Sequence, residues 1–231
     1  MDAPDDLLIR LASALAAAPP SEALSERLCL AARDLAGADG ASVNVSYDED
    51  NRVTLCASDK TSRRLEDLED VMQEGPGFSA WESGSPQGCR LESEDAHRWP
   101  NYVAAARRVV SRAFIQAVPM RVDERVMGVL TFYQSRSLPR GLALPEATLV
   151  RLGAATGAAL VRDPTALDVV LDDGPWDSRA KIHQATGMVM AQLRITSLDA
   201  IAVLRAHAYA GDLTLEDVAR RVLERSLKFR P

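Results

Sequence analysis

The sequence predicts an α+β chain: an antiparallel sheet flanked by helices, followed by an all-α three-helix bundle. Three observations predict it. Residues Ala41–Tyr47 alternate Val43, Val45 and Tyr47 with Ser42, Asn44 and Ser46, the period of a half-buried strand, and an acidic turn leads on to a second strand. Ala113–Met120 and Arg125–Tyr133 form a second, clearer strand pair joined by Val122-Asp123-Glu124. Beyond Trp176 only helical periodicity remains, broken by capping signals. The order helix, strand, strand, helices, strand, strand, helix is that of a sheet covered by helices rather than of repeated βαβ units.

Each element has a local reason. Asp5–Ala18 places Leu7, Leu8, Leu11 and Leu15 among alanines, and Pro19-Pro20 breaks that helix. Ser21 opens a second helix through Ala36, with Leu24, Leu28, Ala31, Ala32 and Leu35 as its stripe and Gly37 as its stop. After the Asp48-Glu49-Asp50-Asn51 turn, Arg52–Ser58 completes a hairpin. Thr61–Glu74 is a polar helix with Leu65, Leu68, Val71 and Met72 as apolar positions, and the acidic run Glu66–Asp70 reads as its solvated face. Gly75-Pro76-Gly77 ends it; a short helix at Phe78–Ser83, a short strand at Gly88–Leu91 and a helix from Trp99 to Arg108 follow. Pro145 opens a long helix to Arg162.

The C-terminal stretch reads as three helices. Asp177 or Ser178 caps the first, whose inner arc is Ile182, Ala185, Val189 and Leu193. Thr196-Ser197 opens the second, with Ala200, Ile201, Leu204 and Ala208 inward and Gly211 at the left-handed stop. Thr214 opens the third, with Asp217 as an imperfect capping box before Leu215, Val218, Ala219, Val222 and Leu223. Gly187 in mid-helix costs about 1 kcal/mol relative to alanine, so something approaches the backbone there: a neighbouring helix or an external surface.

The net charge of −6 argues on its face against a nucleic-acid binder, but its distribution does not. Residues 176–231 hold nine Arg or Lys against six Asp or Glu, while the preceding 175 hold eighteen against twenty-seven. A basic module behind an acidic body fits one part facing phosphates and another facing something else. The three scattered cysteines, Cys29, Cys56 and Cys89, lack metal spacing and fit thiols of a reducing compartment. The acidic N-terminus is no signal peptide, and no uncharged run reaches the roughly 20 residues of a membrane span, so a cytoplasmic protein is expected.

The string I-x-Q-A-x-G-M-V-M (Ile182–Met190), with A-x-x-x-L-R-x-x-A (Ala200–Ala208) and L-x-x-V-A (Leu215–Ala219), resembles the ANTAR domain. That resemblance implies a three-helix RNA-binding module of transcription antiterminators, acting on paired hairpins in nascent mRNA. Many members carry lysine where this chain has Thr186, which removes a charge from an RNA-facing position. E-G-P-G (Glu74–Gly77), D-x-H-R-W-P-N-Y (Asp95–Tyr102) and A-V-P-M-R-V-x-x-R-V-M-G-V-L-T-F-Y (Ala117–Tyr133) resemble the GAF domain, a sensory module. The implied organisation is an N-terminal helix over 1–20, a GAF-like sensor over 21–162, a linker over 163–175 and an ANTAR domain over 176–231. Two linked hairpins favour a homodimer, because the second contact becomes intramolecular.

Candidate RNA contacts are Arg179, His183, Gln184, Thr186, Gly187 and Met190 on the first helix of the module, Arg205 and Tyr209 on the second, and Arg220 and Arg221 on the third. Arginines engage phosphate, and an aromatic ring stacks an unpaired base. Phe78, Trp81, Trp99, Tyr102 and Phe114 are candidates to line a small-molecule effector pocket, and their spacing equally fits plain core. Neither the Cys-His pair of bilin-binding GAF members nor the polar set of cyclic-nucleotide-binding ones is present, and His97 lacks a second haem partner, so no cofactor or metal is expected. No hydrolase, metalloprotease or nucleotide-binding motif occurs, which argues against an enzyme. Two alternatives remain: a helix-turn-helix-like DNA-binding regulator, against which the acidic Leu215-Glu216-Asp217 start argues, and a GAF-fold thiol-dependent reductase, which needs reactive cysteines.

Overall fold

In the computed structural model the described residues are 4–19, 21–46, 52–93, 97–135, 141–163 and 175–230. They form α1 (Pro4–Ala17), α2 (Leu24–Ala36), β1 (Gly40–Ser46), β2 (Arg52–Ala57), α3 (Lys60–Met72), α4 (Pro76–Ser83), β3 (Gln87–Arg90), α5 (Pro100–Val109), β4 (Phe114–Val122), β5 (Arg125–Gln134), α6 (Glu146–Arg162), α7 (Pro175–Leu193), α8 (Ser197–Gly211) and α9 (Leu215–Leu223). The five strands make one antiparallel sheet in the order β2-β1-β5-β4-β3, so the predicted α+β class is observed. The Asp48–Asn51 turn and most of the linker, 164–174, lie outside the described residues. The chain divides into two compact units, Met1–Glu66 with Glu74–Asp168, and Asp67–Gln73 with Val169–Pro231.

Strand alternation assigns the layers of the first unit. Val43 and Leu130 are cross-strand partners and wholly buried, and Cys56, opposite Val43, meets the Ser25 carbonyl of α2 through its thiol at 3.1 Å. Packing of α6 on β4 covers the same side. On the other side Ala117 and Val129 pack with Ala80 and Trp81 of α4, and Ser42 and Asn44 meet Glu66 of α3.

Gly128 is placed by need. A Cβ there would lie 1.9 Å from the Asn44 carbonyl oxygen of β1, so only glycine lets the two strands close. Pro119 is tolerated in β4 because β3 pairs only with Phe114–Ala117, leaving the proline beyond that ladder.

Several local expectations need correcting. Glu66 and Glu69 are not a solvated face: they are 5% and 1% exposed. The first helix of the second unit begins at Pro175, so Asp177 and Ser178 lie inside it rather than capping it, and Asp177 instead pairs with Lys181 one turn on. The left-handed stop of α8 is Asp212 (φ 50°), one residue past Gly211.

The second unit buries Ile182, Ala185 and Val189 of α7 with Ala200, Leu204 and Ala208 of α8 and Leu215, Val218, Ala219 and Val222 of α9. Leu193, Ile201 and Leu223 pack against that core half-buried. Thr214 caps α9: its oxygen accepts from the Asp217 N–H (3.0 Å), and its hydroxyl donates to the Asp217 carboxylate (2.9 Å), so the expected capping box closes on the side chain rather than on the Thr214 N–H. Thr196 and Asp199 repeat this at α8. Among the described residues no single helix is long and apolar enough to cross a membrane.

Candidate functional site

The inward arc of α7 fixes what its outer face can show. With Ile182, Ala185 and Val189 turned to the core, His183, Gln184 and Gly187 are exposed on the remaining surface. A Cβ built on Gly187 meets nothing within 4 Å. Among the described residues the neighbouring helix that one reading of this glycine required is therefore not there, and the packing they provide does not explain its mid-helix cost. Thr186 corrects the expected line of contacts: it is buried, and its hydroxyl donates to the Ile182 carbonyl at 2.8 Å. Met190 is half-buried against the apolar core. The side chain of Arg179 lies outside the described residues.

On α8, Arg205 is half-buried and Tyr209 is 54% exposed. Leu198, one residue into the same helix, is 73% exposed. On α9, Arg220 and Arg221 are exposed, with Arg220 held to Asp217 at 2.5 Å. The Asp217 carboxyl is pushed up by burial, but hydrogen bonds from Thr214 and Arg220 outweigh this and hold it below the usual range. A feature the sequence reading missed is the tail after α9: Leu227 and Phe229 pack on the core, the Phe229 N–H donates to Gln192 of α7 (2.9 Å), and His207 meets the Phe229 ring edge-on. Its signal was the pair of apolar residues following a helix too short to end the domain alone.

In the first unit the five candidate pocket aromatics are engaged by other residues of the chain. Trp99 and Tyr102 are core residues, the Trp99 indole N–H donating to Ser79 at 2.9 Å. The Arg52 guanidinium lies over both Phe78 (5.1 Å) and Trp81 (5.5 Å), and Arg90 lies over Phe114 (4.8 Å). A hollow of about 500 Å³ between α1 and α6 and another of about 360 Å³ near His97 are lined by described residues other than these five aromatics.

The helix-covered face of β1 and β2 carries polar chemistry instead. Both Glu66 oxygens accept, one from the Ser42 hydroxyl (2.5 Å) and one from the Asn44 amide (2.6 Å), and the Thr54 hydroxyl donates to Asn44 (2.7 Å). The three cysteines form no disulfide and are buried. The Cys56 thiol is pushed well up by its hydrogen bond with Cys29 and by burial, which disfavours a thiolate.

Two family models match this chain: the GAF domain over residues 18–161, more than half of it, and the ANTAR domain over residues 176–223. The chain belongs to the GAF–ANTAR regulators. No curated protein matches it. Among solved structures it is similar to an A. aeolicus nlh2 GAF domain in an inactive state (13% identity, 69% of this chain and 97% of that one, TM-score 0.49). It is also similar to the GAF domain of an Acinetobacter phosphoenolpyruvate-protein phosphotransferase (14%, 73% and 100%, 0.49) and to GAF-B of DevS from Mycobacterium smegmatis (16%, 59% and 89%, 0.39). At these identities nothing about ligand or partner transfers to the GAF–ANTAR chain. Its fold assignment rests on the family match and the sheet itself, and its regulatory class on the two domains together.

Proposed function

We propose that this GAF–ANTAR regulator is an RNA-binding transcription antiterminator, a cytoplasmic homodimer that holds paired hairpins of a nascent transcript under control of its sensory domain. The observation that carries the reading is Gly187: a mid-helix glycine on an exposed face with no described residue packed against it, inside the string that resembles the ANTAR motif. A backbone left bare at such a cost suits close approach by an external surface. His183 and Gln184 beside it offer ring and amide groups to base edges, Tyr209 offers an exposed ring for stacking, and Arg220 and Arg221 offer charge to phosphate. Met190 and Arg205 belong to this interface at its margin, Arg179 is a candidate by its place in the sequence alone, and Thr186 supports α7 from within. The domain boundaries follow the same reading, with a sensor over 21–162 and the RNA module over 176–231.

The DNA-binding alternative is disfavoured by the first turn of α9, where Glu216 is exposed and would meet phosphate. A thiol reductase is disfavoured by three buried cysteines, one with its thiolate strongly opposed. The sensory domain then acts by binding an effector or partner, without catalysis. The test is a gel-shift titration of the full chain against cognate and scrambled paired hairpins at several salt concentrations. Arg220→Ala with Arg221→Ala should weaken binding to all RNAs alike and flatten the salt dependence, by a slope of about 0.7 for each lost contact to a single-stranded segment. Tyr209→Ala should cost about 1–3 kcal/mol on the cognate loop and spare scrambled ones. If no structured RNA binds, the reading fails.

A further inference from the structure

Two of the three cysteines meet where α2 packs on β1 and β2. Cys29 lies one helical turn beyond Ser25 on α2, and Cys56 lies on β2. The Cys29 thiol donates from the helix to the Ala41 carbonyl of β1 at 3.2 Å. The Cys56 thiol donates from the sheet to the Ser25 carbonyl of α2 at 3.1 Å. Each sulfur therefore reaches across the joint, and the two are also within hydrogen-bonding reach of each other. The proposed function uses neither.

We infer that Cys29 and Cys56 are a reversible dithiol–disulfide site of the sensory domain, oxidised by a small uncharged hydroperoxide such as hydrogen peroxide. Thiols that already touch need only close to about 2 Å to be bridged. The step balances as two thiols and one peroxide giving one disulfide and two waters. The Cys29 sulfur attacks one peroxide oxygen, the O–O bond breaks, and the departing hydroxide takes the thiol proton, leaving a sulfenic acid. The Cys56 sulfur then displaces that hydroxyl, the S–S bond forms, and the second water carries off the Cys56 proton. The two sulfurs are oxidised by two electrons in total, which the peroxide receives. The roles divide this way because the hydrogen bond with Cys29 and burial push the Cys56 thiol well up. Cys56 thus keeps its proton until Cys29 has reacted.

Position selects the oxidant. Strand β2 is an edge in the order β2-β1-β5-β4-β3, so it is paired on one side only, and its local opening admits a small neutral molecule. Thiols 1% and 5% exposed exclude a bulky, charged oxidant such as glutathione disulfide. Cys89 is an internal control. It lies on β3, the opposite edge, about 19 Å from β2 at the ordinary strand spacing and beyond disulfide reach of Cys56. The bridge ties the first turns of α2 to the edge strand. It is a stoichiometric modification rather than a turnover, and it stands whether or not the C-terminal module binds RNA.

The experiment treats the folded, fully reduced chain with hydrogen peroxide, alkylates the remaining thiols in denaturant and maps the peptides by mass spectrometry. The thiol count should fall from three to one. The peptides bearing Cys29 and Cys56 should be found joined, with the loss of two hydrogens, while Cys89 is alkylated. Dithiothreitol should restore all three thiols, and glutathione disulfide at the same concentration should leave them untouched. Cys29→Ala should abolish the link with unchanged far-UV circular dichroism; should that variant unfold, the wild-type peptide map decides alone. A folded wild type that keeps three thiols under peroxide overturns the inference. So does oxidation that ends at sulfinic acid, a disulfide that includes Cys89 or joins two copies, a glutathione adduct on Cys29 or Cys56, or a link that forms only in urea.

Discussion

The sensory domain turns its polar chemistry inward, and the C-terminal module turns its own outward. Within the first, Ser42, Asn44, Thr54 and Glu66 satisfy one another beneath α3, and Arg52 lies over the rings of Phe78 and Trp81. In the second, the core is aliphatic apart from Thr186, while histidine, glutamine, tyrosine and arginines stand at the surface. The difference teaches where each domain is sensitive. Substitution inside the sensor should change its stability first, and substitution on the face of the module should change binding with little effect on folding.

Two glycines break or sharpen this most strongly. Gly128→Ala forces a Cβ against the Asn44 carbonyl and should destabilise the sensor by about 3 kcal/mol or more in urea unfolding. Gly187→Ala meets open space and should instead stabilise the module by about 1 kcal/mol. A common sign for both would contradict the comparison. Next in size is Glu66→Leu, which strands the Ser42 and Asn44 donors and should cost about 3 kcal/mol by the same measurement. Arg221→Leu on the exposed face of α9 should stay within about 0.5 kcal/mol.

Smaller effects come from the caps. Thr214→Ala removes the capping bond of α9 and should cost about 1 kcal/mol. Asp217 adds a pH dependence. Its folded pKa lies below the ordinary value, so its contribution is complete above the unfolded pKa of about 3.9 and is lost as pH falls through the folded value. Asp59 at the start of α3 behaves alike: burial raises it, but hydrogen bonds from Ser62, Ser58 and Thr61 lower it further. Thermal melts from pH 7 down to about 3 should therefore show both domains weakening below about pH 4, with Asp217→Asn flattening that decline for the module alone.

Much of the fold was legible because its signals are local. Alternation in Ala41–Tyr47 marked β1, although the strand expected to be half-buried is buried on both faces and Tyr47 lies outside the described residues; Thr214 with Asp217 marked the start of α9. What the sequence could not reveal depends on pairing across the fold. Glu66 and Glu69 look solvated in a run of acids, and only the positions of Ser42 and Asn44 on the facing strand explain why a carboxylate is buried there. Aromatics at core spacing do not announce that arginines of the same chain lie over their rings. Thr186 looked surface-facing from the family pattern, yet the helical arc from Ile182 to Val189 carries it inside. The bare backbone at Gly187 was half legible: the residue stood out, but which neighbour it lacked did not.

The central claim is that the exposed face of α7 meets RNA. Its most direct test is an anisotropy titration of a labelled paired-hairpin RNA with Gly187→Leu and wild type, beside their urea unfolding curves. The substitution enters open space, so stability should hold or rise while affinity falls by about tenfold or more, the equivalent of roughly 1.4 kcal/mol. Equal affinity from an equally stable variant would contradict the account and move the interface elsewhere.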